Sequence, residues 1–322
     1  MTEKALTIIC SIDLPERYSR MITDAYPDIE LRLVSRSELK NHMPDADILI
    51  GWGATTELLA VAPKLRWIQT PTAGVDDVDR AQLKARNIPL TNSSGVHAVN
   101  IPEHLLGFML AFSRQLYTAF QQQSEHHWDG DSIRPHTFEL SGQTLLIAGL
   151  GHIGEGLAVR ARALGMRVIG MRRRLTIDRD SAVDELIGFD QLMDRIGEAD
   201  HVAITLPLTA DTTGMFSAEV LAAMKPGSYI YNIGRGPIID QDALISALER
   251  RHIAGAGLDV TTPEPLPADS PLWSAPNVII TPHTSGWSPR NMERGVPIWI
   301  ENIRRFRAGE PLINEVDLDA GY

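Results

Sequence analysis

Three polar residues late in the chain have the types and order needed for carbonyl chemistry. Arg235 lies in Asn232-Ile233-Gly234-Arg235-Gly236 and Glu264 in Thr261-Thr262-Pro263-Glu264-Pro265. His283 lies in Thr281-Pro282-His283-Thr284-Ser285-Gly286. An arginine can clamp the carboxylate of a 2-oxo acid and polarise the neighbouring carbonyl. Hydride arriving at that carbonyl carbon creates an alkoxide, so a proton donor must stand beside the oxygen. Histidine suits this near neutral pH. A carboxylate behind the imidazole fixes its tautomer and favours the imidazolium. Taken singly, each residue has an ordinary reading: a surface ion pair for the Arg, a loop acid for the Glu, a helix cap for the His. Together, each follows an apolar strand-like run, and open α/β sheets place their ligands at strand ends.

A hydride donor is implied further upstream. Gly149-Leu150-Gly151-His152-Ile153-Gly154 follows the apolar run Thr144–Ala148 and opens a helical stretch, Glu155–Leu164. The first Gly permits the tight turn, the second lets the backbone approach a pyrophosphate, and the third lets helix and strand pack. The pyrophosphate then meets free N–H groups at a helix N-terminus. The alternative is a glycine turn that serves packing alone. The next strand, Arg167–Gly170, favours the dinucleotide. An acid about 20 residues after the turn would bind the adenosine ribose of NAD. None is present, and Arg172-Arg173-Arg174 stand there instead. Arginine suits a 2′-phosphate. The expected cofactor is therefore NADP(H), with NAD(H) as a second choice. A solvated basic turn is the ordinary alternative.

These residues need a scaffold, and the periodicity describes one. In the first third, Ala5–Cys10, Ile29–Val34, Ile48–Ile50 and Leu65–Gln69 read as strands. Pro15–Tyr26 and Ser37–His42 read as helices between them. Such alternation argues for βαβ units and a parallel sheet. Asn100 to about Gln123 reads as one long helix, with Leu105, Leu106, Met109, Leu110 and Leu116 at helical spacing. Gln121–Thr137 reads as a polar loop. Six strand candidates follow: Thr144–Ala148, Arg167–Gly170, His201–Leu206, Ser228–Ile233, Ala254–Leu258 and Val278–Thr281. A last helix runs from Pro289 to about Ala308.

Composition narrows the class. The 322 residues suffice for about two domains. A net charge of -11 without a basic cluster argues against nucleic acid, which needs a concentrated basic face. The single cysteine, Cys10, excludes an intramolecular disulfide and a multi-thiolate metal site; no metal is expected. No apolar run approaches the roughly 20 residues needed to cross a bilayer. The N-terminus lacks a signal-peptide pattern. The expectation is a cytoplasmic enzyme that does not engage membranes.

The pattern resembles the D-isomer-specific 2-hydroxyacid dehydrogenases, which include glyoxylate/hydroxypyruvate reductases and phosphoglycerate dehydrogenase. The resemblance covers nearly the whole chain. It runs through Trp67-Ile68-Gln69, Ala73-Gly74-Val75-Asp76, Gly95-Val96-His97 and Pro102-Glu103-His104. It continues through the glycine turn, Leu206-Pro207-Leu208-Thr209, the three segments above and Asn314-Glu315-Val316-Asp317 with Gly321-Tyr322. It implies two doubly wound α/β domains. Residues 1–98 and 288–322 would form a flavodoxin-like substrate domain, and residues 99–287 an inserted NAD(P)-binding Rossmann domain. Arg235 would bind substrate, and Glu264 and His283 would relay the proton. Asp259 would hold the nicotinamide carboxamide. The backbone of Ala73 and Gly74 would receive the substrate carboxylate. His152 and Ile153 would lie against the pyrophosphate, and Pro207 and Ile233 would line the cofactor groove. The family also implies a substrate cleft that closes, and a homodimer built through the helix from Asn100 and the arm after Gln121.

The chain departs from the family pattern in places. Thr261-Thr262 precede Glu264 where an aromatic and an acidic residue are common. Pro102 stands where Ala is frequent, and Arg172 replaces the usual acid. Glu264, in place of Gln, argues against the formate-oxidising relatives. Trp52, Trp287 and Arg290 are candidates for the pocket wall, although tryptophans also fill cores. Two further readings are a dinucleotide-sensing co-repressor and a dehydrogenase of an unusual acid such as phosphite. The first lacks a visible recruiting segment in this sequence.

Overall fold

The computed structural model describes residues 6–76, 78–173, 175 and 182–321. The chain divides into two compact units, Met1–Val96 with Ser288–Tyr322, and His97–Trp287.

The first unit carries a five-stranded parallel sheet. Its strands are β1 (Thr7–Cys10), β2 (Glu30–Leu33), β3 (Ile48–Ile50), β4 (Trp67–Gln69) and β5 (Leu90–Thr91), in the order β2-β1-β3-β4-β5. This is the flavodoxin-like order. Alternate strand residues feed opposite faces, as the two-residue period requires. Ile9, Leu49, Ile68 and Leu90 join one core, and Ile8, Cys10, Ile48, Ile50 and Trp67 join the other. The helix Asn291–Ala308 packs on the second core through Val296, Trp299 and Ile303.

The second unit carries seven parallel strands: β6 (Thr144–Ala148), β7 (Arg167–Met171), β8 (Glu185–Ile187), β9 (His201–Ile204), β10 (Ser228–Asn232), β11 (Ile253–Leu258) and β12 (Val278–Ile280). Their order is β12-β11-β10-β9-β6-β7-β8. Counted within the unit, this is the dinucleotide-binding order 3-2-1-4-5-6 with a seventh strand added. The strands are near-continuous apolar runs because helices cover both faces. Leu146, Ala148, Val202 and Ile230 lie on one side, and Leu145, Ile147, Ala203 and Tyr231 on the other. The helix Asn100–Ser113 buries Ile101, Leu105, Phe108, Met109 and Phe112 on the second side. It sits close to β11 because that strand is glycine-rich. A Cβ on Gly257 would stand 2.6 Å from the Phe108 ring.

Three local expectations are corrected. The long helix breaks at Gln115, which adopts φ 53, and a second helix runs from Leu116 to Ser124. The Gln115 side chain donates to the Phe112 carbonyl at 2.9 Å and so closes the first helix. Apolar spacing continues across the break and hides it. The stretch expected to be a polar loop is partly helical, at Gly130–Ile133, where the Asp129 carboxylate accepts from the N–H groups of Asp131 and Ser132. Strands β5 and β8 add to the expected set; with two and three residues they carry too little period to show in the sequence. Arg174 of the basic run lies outside the described residues, as does Tyr322. No helix among the described residues is long and apolar enough to cross a membrane.

Candidate active site

The glycine turn is built as its sequence demands. Gly149 follows β6 with φ 108, and a Cβ there would stand 2.9 Å from the Leu206 nitrogen. A Cβ on Gly154 would stand 2.3 Å from the Gly149 carbonyl oxygen, so the helix His152–Ala163 packs directly on the turn. Around Gly151 there is open space. The first intrahelical bond runs from Glu155 N–H to the Gly151 carbonyl. The N–H groups of His152, Ile153 and Gly154 therefore precede any helical acceptor and are available to an anion. Open space above Gly151, beside these donors, fits a dinucleotide pyrophosphate.

The neighbouring strand ends carry the remaining groove candidates. Arg172 directly follows β7, its N–H bonded to the Ile187 carbonyl, and its side chain is partly exposed. Arg173 is exposed and pairs with Asp211 at 2.6 Å. Pro207 is exposed just beyond β9, and its carbonyl accepts from the Thr212 hydroxyl at 2.7 Å. Ile233 is buried just beyond β10.

Arg235 follows in a turn clamped by the buried Asn232. That side chain accepts from Gly234 N–H at 3.0 Å and donates to the Arg235 carbonyl at 2.9 Å. The guanidinium donates to the Gly234 carbonyl and stays partly exposed. Glu264 stands between two cis peptide bonds, Thr262–Pro263 and Glu264–Pro265. Gln241 holds this loop by donating to the Thr262 carbonyl and accepting from its N–H. Glu264 Oε2 lies 3.1 Å from His283 Nδ1, with the side chains 38% and 49% exposed. Nε2, the nitrogen away from Glu264, is then the one left for a reacting oxygen. Strand topology thus brings together two residues 19 positions apart.

His283 has φ 52, a left-handed conformation that costs of order 1–3 kcal/mol outside glycine. Asp259 holds it there. Its carbonyl accepts His283 N–H at 2.9 Å. Its carboxylate accepts from the Thr281 hydroxyl at 2.6 Å, Thr284 N–H at 2.9 Å and Ser285 N–H at 3.1 Å. Burial pushes this carboxyl up, but the bonds from Ser285, Thr281 and Thr284 outweigh it and hold the group below the usual carboxylate range. Asp259, for which the family resemblance implies a cofactor contact, is thus placed as the anchor of the histidine loop. Asn232, Thr281 and Gln241 were not singled out from sequence. Side-chain amides and hydroxyls at strand ends are the only signal that could have found them.

The first unit holds its own predicted residues together. Trp52 is part-exposed and donates from its indole to the Thr72 hydroxyl at 3.4 Å. That hydroxyl donates to the Gly74 carbonyl, and Asn92 donates to the Ala73 carbonyl at 3.0 Å. With both carbonyls engaged, the Ala73–Gly74 turn is shaped by its own unit. Trp287 is exposed in the second unit, and Arg290 pairs with Glu293 in the first. Cys10 is buried, and burial pushes its thiol up to about 11, which removes it from nucleophilic chemistry. Among the described residues, no group of three or more His, Cys, Asp or Glu is placed to hold a metal ion.

The seven-stranded sheet thus carries the glycine turn, Arg235 and the Glu264–His283 pair at its carboxyl edge, the edge at which dinucleotide-binding sheets place their ligands. The family model described as D-isomer specific 2-hydroxyacid dehydrogenase, NAD binding domain, matches residues 106–285, and the chain belongs to this family. The D-3-phosphoglycerate dehydrogenase of Mycobacterium leprae is 35% identical over 300 residues, 91% of this chain. The match takes in 56% of that relative, so the chain spans about half its length. A D-isomer specific 2-hydroxyacid dehydrogenase family protein from Aeromonas salmonicida has a similar structure, with TM-score 0.86 and 33% identity, covering 98% of this chain and 100% of that one. The NADPH-dependent glyoxylate/hydroxypyruvate reductase of Sinorhizobium meliloti, solved with NADP and sulfate, gives TM-score 0.84 at 27% identity, covering 98% and 100%.

Proposed function

We propose that this chain reduces a short 2-oxo acid, such as glyoxylate or hydroxypyruvate, reversibly to the D-2-hydroxy acid, with NADPH preferred over NADH. The observation that carries the reading is the Glu264–His283 pair at 3.1 Å, on the sheet edge that also bears the glycine turn and Arg235. The cofactor, when bound, supplies the hydride. The N–H groups of His152 and Ile153 would hold its pyrophosphate and Pro207 and Ile233 would line its groove; the carboxamide role that the resemblance implies for Asp259 would require a carboxylate now buried and bonded to Thr281, Thr284 and Ser285 to open towards the groove. Arg235 binds the substrate carboxylate and polarises the carbonyl. His283, kept oriented by Glu264, gives its Nε2 proton to the developing alkoxide. In the reverse direction neutral His283 takes the hydroxyl proton.

The NADPH preference rests on Arg172 and Arg173 at the end of β7, where an acid would serve NAD. It is consistent with the cofactor named for the Sinorhizobium relative. The phosphoglycerate dehydrogenase relative is the reason to include 3-phosphohydroxypyruvate among the substrates tested. The experiment is a spectrophotometric panel of glyoxylate, hydroxypyruvate, phenylpyruvate and 3-phosphohydroxypyruvate with each cofactor. Turnover of a short 2-oxo acid with higher kcat/KM for NADPH is expected. No turnover of any 2-oxo acid overturns the reading, and NADH preference overturns its cofactor part. We also infer a cytoplasmic homodimer. The exposed Phe120 and Trp128, the latter 97% accessible, support a partner surface on the arm, and light scattering reads the mass.

A further inference from the structure

His104 belongs to the motif Pro102-Glu103-His104, which the chemistry above leaves unused. It sits on the helix Asn100–Ser113, mostly buried, with its ring edge-on to Phe108 at 4.7 Å. Its Nε2 lies 3.0 Å from the Thr281 hydroxyl oxygen and 3.9 Å from Asp259 Oδ1. The hydrogen-bond roles follow by elimination. The Asp259 carboxylate is ionised and can only accept. The Thr281 hydroxyl, 2.6 Å from it, must therefore donate to it. That oxygen is left to accept from His104, so the imidazole carries its hydrogen on Nε2. A continuous chain of donors runs from His104 through Thr281 to Asp259. Asp259 in turn gathers the N–H groups of Thr284 and Ser285, next to His283. A second tie from the same helix reinforces it: Asn100 donates to the Ser285 carbonyl at 2.9 Å.

We infer that His104 is a positioning residue for the reaction: by donating to Thr281 it orients that hydroxyl onto Asp259 and so fixes the 281–285 segment that presents His283. The inference rests on His283 being the proton donor. The helix is a firm base for this role, because Phe108, one turn beyond His104, is seated against Gly257 of β11. Burial lowers the basicity of His104, and the charge of Asp259 only partly offsets this. The ring is thus neutral near pH 7 and has one N–H to give.

The test compares His104→Leu, which loses the donor, with His104→Gln, which keeps an N–H at similar reach. His104→Leu is expected to lower kcat about tenfold, the size of one lost buried hydrogen bond, with KM for cofactor and thermal midpoint little changed. His104→Gln should restore most of kcat. Thr281→Val should match His104→Leu, and the double variant should lose no more than either, because both cut one chain. Full kcat in His104→Leu overturns the inference, as does an equal loss of kcat and thermal midpoint in both His104 variants. Should the wild type turn over no 2-oxo acid, the reaction reading fails separately. NMR then decides the positioning role. Nitrogen-15 imidazole spectra should show the Nε2–H tautomer at His104. The amide signals of His283, Thr284 and Ser285 should move in His104→Leu and return in His104→Gln. Unmoved amides or an Nδ1–H tautomer overturn it.

Discussion

Two histidines at opposite edges of the seven-stranded sheet have opposite fates. His201 opens β9 at the amino edge and is 0% exposed. Its Nδ1 lies 2.9 Å from the Tyr231 hydroxyl and its Nε2 faces the Gln143 side-chain carbonyl. Its ring is stacked near Tyr229 and Tyr231. Burial, only partly offset by the charge of Asp200, pulls it down to about 4. His283 follows β12 at the carboxyl edge, half exposed and paired with Glu264. One imidazole is satisfied, enclosed and fixed as neutral. The other is held by one nitrogen and leaves the second to solvent or substrate. His283 lies at the carboxyl edge, which is where open sheets place ligands.

The contrast is sharpest in the chemistry. His283→Ala should lower kcat by about 10²–10⁴, the usual size of a general acid–base contribution, and leave the thermal midpoint nearly unchanged. A rate near wild type would break the comparison at its functional end. The amino edge should respond to pH through stability. The folded value of His201, about 4, lies below the ordinary 6.5, so between these pH values the unfolded chain binds a proton that the folded chain does not. The stability from neutral His201 is full above about pH 6.5 and is lost as pH falls towards 4, by at most about 3 kcal/mol. Urea unfolding across that window should show a slope that His201→Phe flattens, while kcat per folded molecule is retained. An unchanged slope would show that the buried ring is not the group responsible. Smallest is the effect of Arg172, on the carboxyl edge but away from the reacting carbon. Arg172→Ser should raise KM for NADPH about tenfold and leave NADH within about twofold, as loss of one charged hydrogen-bond partner predicts. Equal effects on both cofactors would assign Arg172 to the strand end alone.

The same contrast explains what was legible beforehand. The glycine turn could be read because each glycine answers a local demand, a positive φ at Gly149 and a close approach at Gly154. Buried strands could be read as apolar runs, and Arg235, Glu264 and His283 could be read only jointly, because all three follow such runs in order behind a dinucleotide turn. The break at Gln115 was hidden because apolar spacing resumes at Leu116. Strand β8 was hidden for a different reason. It is an edge strand of three residues whose acid, Glu185, pairs with Arg167 and Arg195, so it reads as surface.

By itself the sequence determined the periodic elements, the turn chemistry and the residue types available for catalysis, because these depend on neighbours a few positions apart. The tertiary structure alone decided which partners each group meets. Glu264 reaches His283 across 19 positions, Asp259 reaches Ser285 across 26, and His104 reaches Thr281 across 177. Those distances are set by strand pairing and by a helix seated against Gly257, and no local pattern encodes them. The two histidines make the point together, since only their places at the two edges of one sheet separate a buried neutral ring from an exposed one paired with a carboxylate.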